Sequence, residues 1–294
     1  MTQPFLKWVG GKSKLLKHIT PFIPGEAINY HEPFVGGGSV LFHILDLVSK
    51  NKLKLSGKIY AYDLNDKLIN VYTQVKNAPE ELYKIISSYT EEYNSINSDV
   101  VNRKPTCLSE AKTSRESYYY FIRSKYNSLH GNTPEHAALF LFLNKTCFRG
   151  IYREGPNGFN VPFGNYKSKL RVVSKEDILD ASKTLKDVTF IHSGFEKTFE
   201  FIKQGDFVYL DPPYAPETKT SFVGYTTSGF DIDKCADLFK SIKQLKDVKF
   251  IMSNSNTDTV RDAFTEFNTT EITARRAINS KNPASVTTEL IVYN

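Results

Sequence analysis

The sequence predicts an α/β protein built on an open sheet, interrupted by a mostly helical insertion that carries a β-hairpin. Three observations lead there. A run of glycines, Gly36-Gly37-Gly38, opens an apolar, helix-compatible segment from Val40 to Val48, the pattern of a strand-loop-helix turn. Strand and helix patterns alternate from Ser174 to the last residues. Between them, residues 77–169 carry helical periodicity and no such alternation.

Composition sets wide bounds. A chain of 294 residues is long for one domain and short for two full ones. With 40% hydrophobic and 24% charged residues it can bury an ordinary core. A net charge of +6 leans towards a polyanionic partner without requiring one. Cys107, Cys147 and Cys235 are widely separated, which argues against a disulfide framework and fits a reducing compartment. The histidines do not fall at ligand spacing with cysteines or acids, so no metal site is expected. No apolar run approaches the length of a membrane span, and Met1 to Lys12 lacks the apolar core of a signal peptide.

The elements follow in order. Phe5-Leu6-Lys7-Trp8-Val9-Gly10-Gly11-Lys12 comes first. Gly-Gly-Lys-Ser invites a phosphate-loop reading, but the first glycine of that motif would fall at Leu6, so the match fails. Trp8, the only tryptophan, sits beside glycines that allow close backbone approach, and is either a core anchor or a ligand contact. His31-Glu32-Pro33-Phe34-Val35 leads into the glycine loop, a turn of Rossmann type. Residues 58–63 read as a short strand ending in Asp63, where nucleoside-binding folds hold ribose hydroxyls. The plainer reading of Asp63 is a cap for the helix expected over 64–76. Loop, strand and terminal acid together suggest an adenosine-containing cofactor.

In the insertion, Pro79 takes a first helical position, and Leu82, Ile85, Ile86, Tyr89 and Tyr93 recur at helical spacing. Residues 94–114 are polar and expected to be a loop; 118–126 and 134–147 predict two further helices. From Thr146 to Lys167, basic and aromatic residues interleave around the turn sequence Gly155-Pro156-Asn157-Gly158. A ribbon of this kind can enter a DNA major groove, where arginine binds guanine; an ordinary solvated hairpin is the plainer reading.

After Ser174 the pattern predicts helices over 174–185, 195–203, 231–245 and 257–267, and strands over 188–192, 207–210, 248–253, 269–274 and 286–293. The first of these helices starts with Ser-x-x-Asp. Residues 215–229, rich in Thr, Ser and Gly, are expected to form a loop over the site, and a polar loop holds Arg275, Arg276 and Lys281. The central strand Phe207-Val208-Tyr209-Leu210 runs without alternation, as a buried strand does, and ends in Asp211-Pro212-Pro213-Tyr214. Two prolines force the chain out of the sheet, which holds Asp211 at the carboxyl edge where open α/β folds bind ligands. The Asp211 carboxylate, the Pro212 carbonyl and the Tyr214 ring suit a planar base with an exocyclic amine.

Taken together, Phe5 to Lys12, Glu32-Pro33-Phe34-Val35-Gly36-Gly37-Gly38-Ser39, Asp63, Phe159-Asn160-Val161-Pro162-Phe163-Gly164 and Asp211 to Tyr214 resemble the Dam family of DNA adenine N6-methyltransferases, in the alpha-group order. The resemblance implies a Rossmann-like methyltransferase sheet over 1–76 and 170–294, and a DNA target-recognition domain over 77–169. It implies S-adenosylmethionine as cofactor, contacted by Trp8, Lys12, Asp63 and Asp211, with Phe34 and the loop from Gly36 to Gly38 at its methionine end. Leu64 and Phe195 would flank its adenine. Ser253-Asn254 would lie near the flipped target base and Phe148 would wedge into the DNA stack. Arg153, Pro162 and Tyr166 match positions the family uses on GATC DNA, with Arg149, Ile151 and Asn165 in the same tract. Arg149 stands where bacterial Dam enzymes have asparagine, and Asn165 where they often have arginine, which sets CATG beside GATC.

The catalytic set by this reading is Asp211, Pro212 and Tyr214, acting on a flipped adenine without a metal. Cytosine N4 methylation would use the same acceptors, and a silent DNA-binding regulator could keep the fold. The implied partners are double-stranded DNA and a cognate restriction endonuclease. The implied place is inside a cell, in cytoplasm or nucleoid, with a viral or phage origin equally compatible.

Overall fold

The computed structural model describes residues 3–166, 168–214, 230–275 and 286–294. The expected loop over 215–229, the stretch holding Arg276 and Lys281, and Lys167 lie outside the described residues. The chain divides into two compact units. One comprises Met1–Gly11, Gly36–Gly38 and Asn65–Lys186; the other comprises Lys12–Val35, Ser39–Leu64 and Asp187–Asn294.

The second unit holds the sheet. Its strands are β1 (Tyr30–Glu32), β2 (Ile59–Asp63), β3 (Val188–His192), β4 (Phe207–Leu210), β5 (Lys249–Ser255), β6 (Asn268–Arg275) and β7 (Val286–Tyr293). They lie in the order β3-β2-β1-β4-β5-β7-β6. Strands β3 to β5 are mutually parallel, and β7 runs antiparallel to both its neighbours. Outward from β1 the chain first builds one side of the sheet, then returns to lay β4 on the other. The carboxyl ends of β1 and β4 therefore form the topological switch point.

All four residues of β4 are buried, as its unbroken apolar run requires. Val208, Leu210, Phe250 and Met252 meet Leu238, Phe239, Val260 and Phe264 in one apolar core. At the opposite edge His31 Nε2 lies 3.0 Å from Asp206 Oδ2, both side chains fully buried. Asp206 also accepts from the backbone of Asn29 and Lys203, so it fixes the start of β4 against β1.

In chain order the longer helices are α1 (Ser39–Ser49), α2 (Asp66–Asn77), α3 (Pro79–Asn94), α4 (Arg115–Ser128), α5 (Pro134–Thr146), α6 (Lys175–Leu185), α7 (Phe195–Phe201), α8 (Ile232–Lys243) and α9 (Asp258–Ala263). Helices α2 to α6 belong to the first unit. Tyr93, Tyr118 and Phe142 join α3, α4 and α5 by edge-to-face contacts, so these tyrosines pack rather than bind. The Ser-x-x-Asp start of α6 forms a full capping box between Ser174 and Asp177.

Three local expectations are corrected. Helix α2 starts at Asp66 rather than residue 64, because Asn65 is the cap and accepts from Leu68 N. The stretch 94–114 contains a one-turn helix, Leu108–Ala111, held by Glu110 accepting from Thr106 N and by Ser117 Oγ accepting from Asn102 N. The hairpin pairs only Glu154–Gly155 with Gly158–Phe159. One further bond, Asn160 N to Arg153 O, extends it, and α4 holds its outer edge: Asn127 bonds both N–H and C=O of Phe159, and Tyr119 and Arg123 both donate to Val161 O.

Candidate active site

Asp211 is the first residue beyond β4, at the switch point. Lys12 Nζ lies 2.7 Å from its Oδ1, with the lysine side chain only 5% exposed. A cation so buried needs an anionic partner, and the turn after Gly11 supplies the position: Lys12 O accepts from Leu15 N and Leu16 N. The β4–β5 register pairs Leu210 with Met252, which brings Ser253 level with Asp211. Ser253 Oγ donates to Asp211 Oδ1 at 3.0 Å, and Tyr209 OH lies 2.9 Å from the same Oγ. Since Ser253 spends its proton on the carboxylate, Tyr209 is the donor in the second bond. Lys12 Nζ also stands 4.9 Å from the Tyr214 ring centroid.

Glu32, at the end of β1, is 2% exposed and accepts from Tyr30 OH at 2.6 Å. Burial pushes its carboxyl up to about 8; the Asp211 charge adds to this, while the Tyr30 bond and a Leu41 backbone bond oppose it. Glu32 is therefore a neutral acid at neutral pH. Burial also pushes the Tyr214 phenol well up, with the charges of Asp211 and Glu289 adding.

The other residues expected in cofactor binding fall into both units. In the second, Asp63 ends β2 and its carbonyl accepts from Ser193 N at 3.1 Å. The capping role proposed as its plainer reading belongs to Asn65. Leu64 is 47% exposed, whereas Phe195 is buried with its ring 6.1 Å from Phe34. In the first unit, Trp8 stacks on Tyr152 and on Phe140. The glycine loop closes on it: a Cβ at Gly37 would come 2.7 Å from Trp8 Cβ, and Gly36 adopts φ +46° beside the indole. The two motifs are glycine-rich and tryptophan-bearing because each is shaped to the other.

The expected DNA-reading residues lie in the first unit too. Phe148 is exposed, with the Arg149 guanidinium 5.2 Å from its ring centroid. Phe148 N donates to Pro162 O, Gly164 N to Thr146 O and Tyr166 OH to Cys147 O, so Phe148, Arg149, Pro162 and Tyr166 share one knot of chain. Arg149 and Asn165 both hold positive φ. Ile151 is half-buried, its carbonyl accepting from Cys147 Sγ. Arg153 is exposed, with Nε on Asn160 Oδ1 at 2.7 Å. Among the described residues no cluster of three or more His, Cys, Asp or Glu could hold a metal ion, and no helix is long and apolar enough to cross a membrane.

Sequence reasoning missed three participants. Ser253 was read as a neighbour of the target base, not as a donor to Asp211. Glu32 was read only as part of a motif. Tyr152 was one aromatic among several. The first could be found only from strand register; the other two depend on contacts distant in sequence.

The sheet order and the acid at its switch point fit an α/β enzyme of the Rossmann-like methyltransferase class. The family model for the D12 class N6 adenine-specific DNA methyltransferases matches residues 8–278. The chain belongs to that family, and its activity is adenine-specific methylation of DNA. Type II methyltransferase M.MjaIII of Methanocaldococcus jannaschii is 36% identical over 95% of this chain and 93% of its own. Type II methyltransferase M1.LlaDCHI of Lactococcus lactis subsp. cremoris is 33% identical over 99% and 95%. A DNA adenine methylase of Haemophilus influenzae is 31% identical over 96% and 89%.

Proposed function

We propose that the chain uses S-adenosylmethionine to methylate N6 of an adenine flipped out of a short duplex palindrome, with GATC favoured and CATG the alternative. The observation that carries this reading is the fixing of Asp211: both of its described donors, Lys12 and Ser253, fall on Oδ1. The other carboxylate oxygen is then offered to an amine, beside the Pro212 carbonyl. These two acceptors take the N6 hydrogens and expose the nitrogen lone pair, while Tyr214 stacks on the base. Bound S-adenosylmethionine supplies an already activated methyl group, so the protein contributes positioning and electrostatics.

The residues present fit that cofactor. An acid, Asp63, ends β2, where nucleoside-binding folds hold ribose hydroxyls. Trp8 and the loop from Gly36 to Gly38 form one compact aromatic and backbone surface. Trp8, Lys12, Phe34, Gly36, Gly38, Asp63, Leu64, Phe195 and Asp211 are proposed as its contacts. Residues 77–169 are proposed as the target-recognition insertion, with Phe148, Arg149, Ile151, Arg153, Pro162, Asn165 and Tyr166 on double-stranded DNA. A restriction endonuclease of the same specificity is the further partner of this reading. Sequencing that reads methylated bases in an expressing host tests the whole: one modified palindrome with adenine before T is expected. Modification at cytosine, or at no fixed site, would overturn it.

A further inference from the structure

Tyr152 stands between two of the groups that the proposed function uses, and it is assigned to neither. Its ring centroid is 5.9 Å from Trp8 at 26° and 5.2 Å from Phe140 at 25°, while Trp8 and Phe140 are themselves stacked at 6.3 Å. The three rings form one block. Its hydroxyl donates to Glu154 Oε1 at 2.6 Å, and Lys67 Nζ, from the first turn of α2, is 3.2 Å from the same oxygen. A cavity of about 10 Å³ lined by Tyr152, Phe140, Ile151 and Asn144 lies against the block. It has room for no more than one water, so the ring is closely packed on that side. The residue that follows is Arg153, whose guanidinium rests on Asn160.

We propose that Tyr152 is the positioning residue that couples reading of the DNA site to binding of the cofactor. The inference rests on the reading that Trp8 contacts S-adenosylmethionine and Arg153 a base. A matching base pair draws Arg153 off Asn160 and fixes its backbone. Tyr152, one peptide bond away, is fixed with it, and the block that seats Trp8 becomes the cofactor-binding form. A mismatched site leaves Arg153 on Asn160 and gives no such bias. A ligand shifts an equilibrium only by its differential affinity for the two forms, and here the difference lies in one side chain and the stack behind it. Linkage then requires the cofactor to tighten matching DNA by the factor by which matching DNA tightens the cofactor.

The lone Trp8 gives the readout. S-adenosylhomocysteine is titrated into the full chain by tryptophan fluorescence: alone, with a duplex bearing the site mapped in the expressing host, and with a duplex altered at one base. The expected outcome is roughly tenfold tighter binding with the matching duplex and less than about twofold change with the altered one. Tyr152→Leu should bring the matching-duplex effect below about twofold while S-adenosylhomocysteine still binds. Tyr152→Phe, which keeps the ring, should retain most of it. Full coupling in Tyr152→Leu, equal loss in both variants, or no coupling in the wild type would overturn the proposal. Should Tyr152→Leu not fold by circular dichroism, Tyr152→Met, which fills the same space without a ring, should likewise bring the effect below about twofold, and unchanged coupling there overturns it. Failure of the underlying reading looks different: Trp8 emission would not respond to S-adenosylhomocysteine in the wild type, or Asp211→Ala would still methylate.

Discussion

The carboxyl edge of β4 and the tract from Phe148 to Tyr166 are the regions proposed to carry the two halves of the task, and they are built on opposite plans. At Asp211 the described donors are supplied within the chain: Lys12 and Ser253 on one oxygen, Tyr209 behind Ser253, a neutral Glu32 beside them. In the reading tract Phe148 and Arg149 are exposed, and Arg149 and Asn165 hold strained positive φ. Its backbone is knotted, but its arginines meet a ring and an amide rather than a carboxylate. The methylating edge is preorganised, so its residues should be needed for rate on every site. On the proposed reading the tract binds a polyanion, and its residues should decide which site is used.

The sharpest way to break that contrast is Asp211→Ala. Removing a preorganised contact of this kind costs on the order of a hundredfold or more in turnover. The loss should be equal on matching and altered duplexes in a steady-state methyl-transfer assay. A loss confined to the matching duplex would erase the distinction between the two regions.

Asp63→Ala comes next. A hydrogen bond from the ribose to a charged carboxylate is worth about 1.5–3 kcal/mol. Calorimetric titration of S-adenosylmethionine should show that weakening. Unchanged affinity would move the ribose elsewhere.

Arg153→Ala tests the other region. A bidentate arginine–guanine contact contributes roughly 1–3 kcal/mol of discrimination. Methylation of sites altered by one base should rise relative to the best site, and Arg149→Ala should act likewise at the outer pair. Arginines that hold only phosphates would instead weaken all sequences evenly and flatten the salt dependence.

The same contrast governs what could be read from the chain. Strand β4 and its terminal acid were legible because an unbroken apolar run closed by two prolines has few other solutions. The donor on Asp211 was not, because strand register is set across forty residues of intervening chain: about that many separate Asp211 from Ser253. In the hairpin the turn was legible from Gly-Pro-Asn-Gly, but its anchoring was not, because Asn127 and Tyr119 on α4 meet its outer edge from 32 and 42 residues away. One local reading of Asp63 was a helix cap, and Asn65 holds that cap. Tyr152 and Phe159 were two aromatics of an interleaved tract with no local sign of their partners; Phe159 is buried and Tyr152 stacks on Trp8.

The smallest effect expected concerns the preorganised edge itself. Glu32 releases its proton near its ordinary value of 4.5 when unfolded, but only at about 8 when folded. Between those values the folded chain binds the extra proton, so its contribution to stability is present at low pH and lost as pH rises through the window. From about pH 6.5 to about pH 7.5 the loss should be about 1 kcal/mol, below the limit of roughly 1.4 kcal/mol for each unit. Glu32→Gln keeps an acceptor for Tyr30 OH and has no proton to lose. Buried histidines such as His31, pushed down by burial, bend the curve the opposite way, but they are common to both proteins and cancel in the difference. Denaturant melts of the two proteins across this range should therefore diverge, with the variant gaining on the wild type as pH rises. Parallel curves would mean that Glu32 is already charged in the folded chain. The Asp211 site would then hold two anions against Lys12, and the contrast with the reading tract would have to be drawn elsewhere than in charge balance.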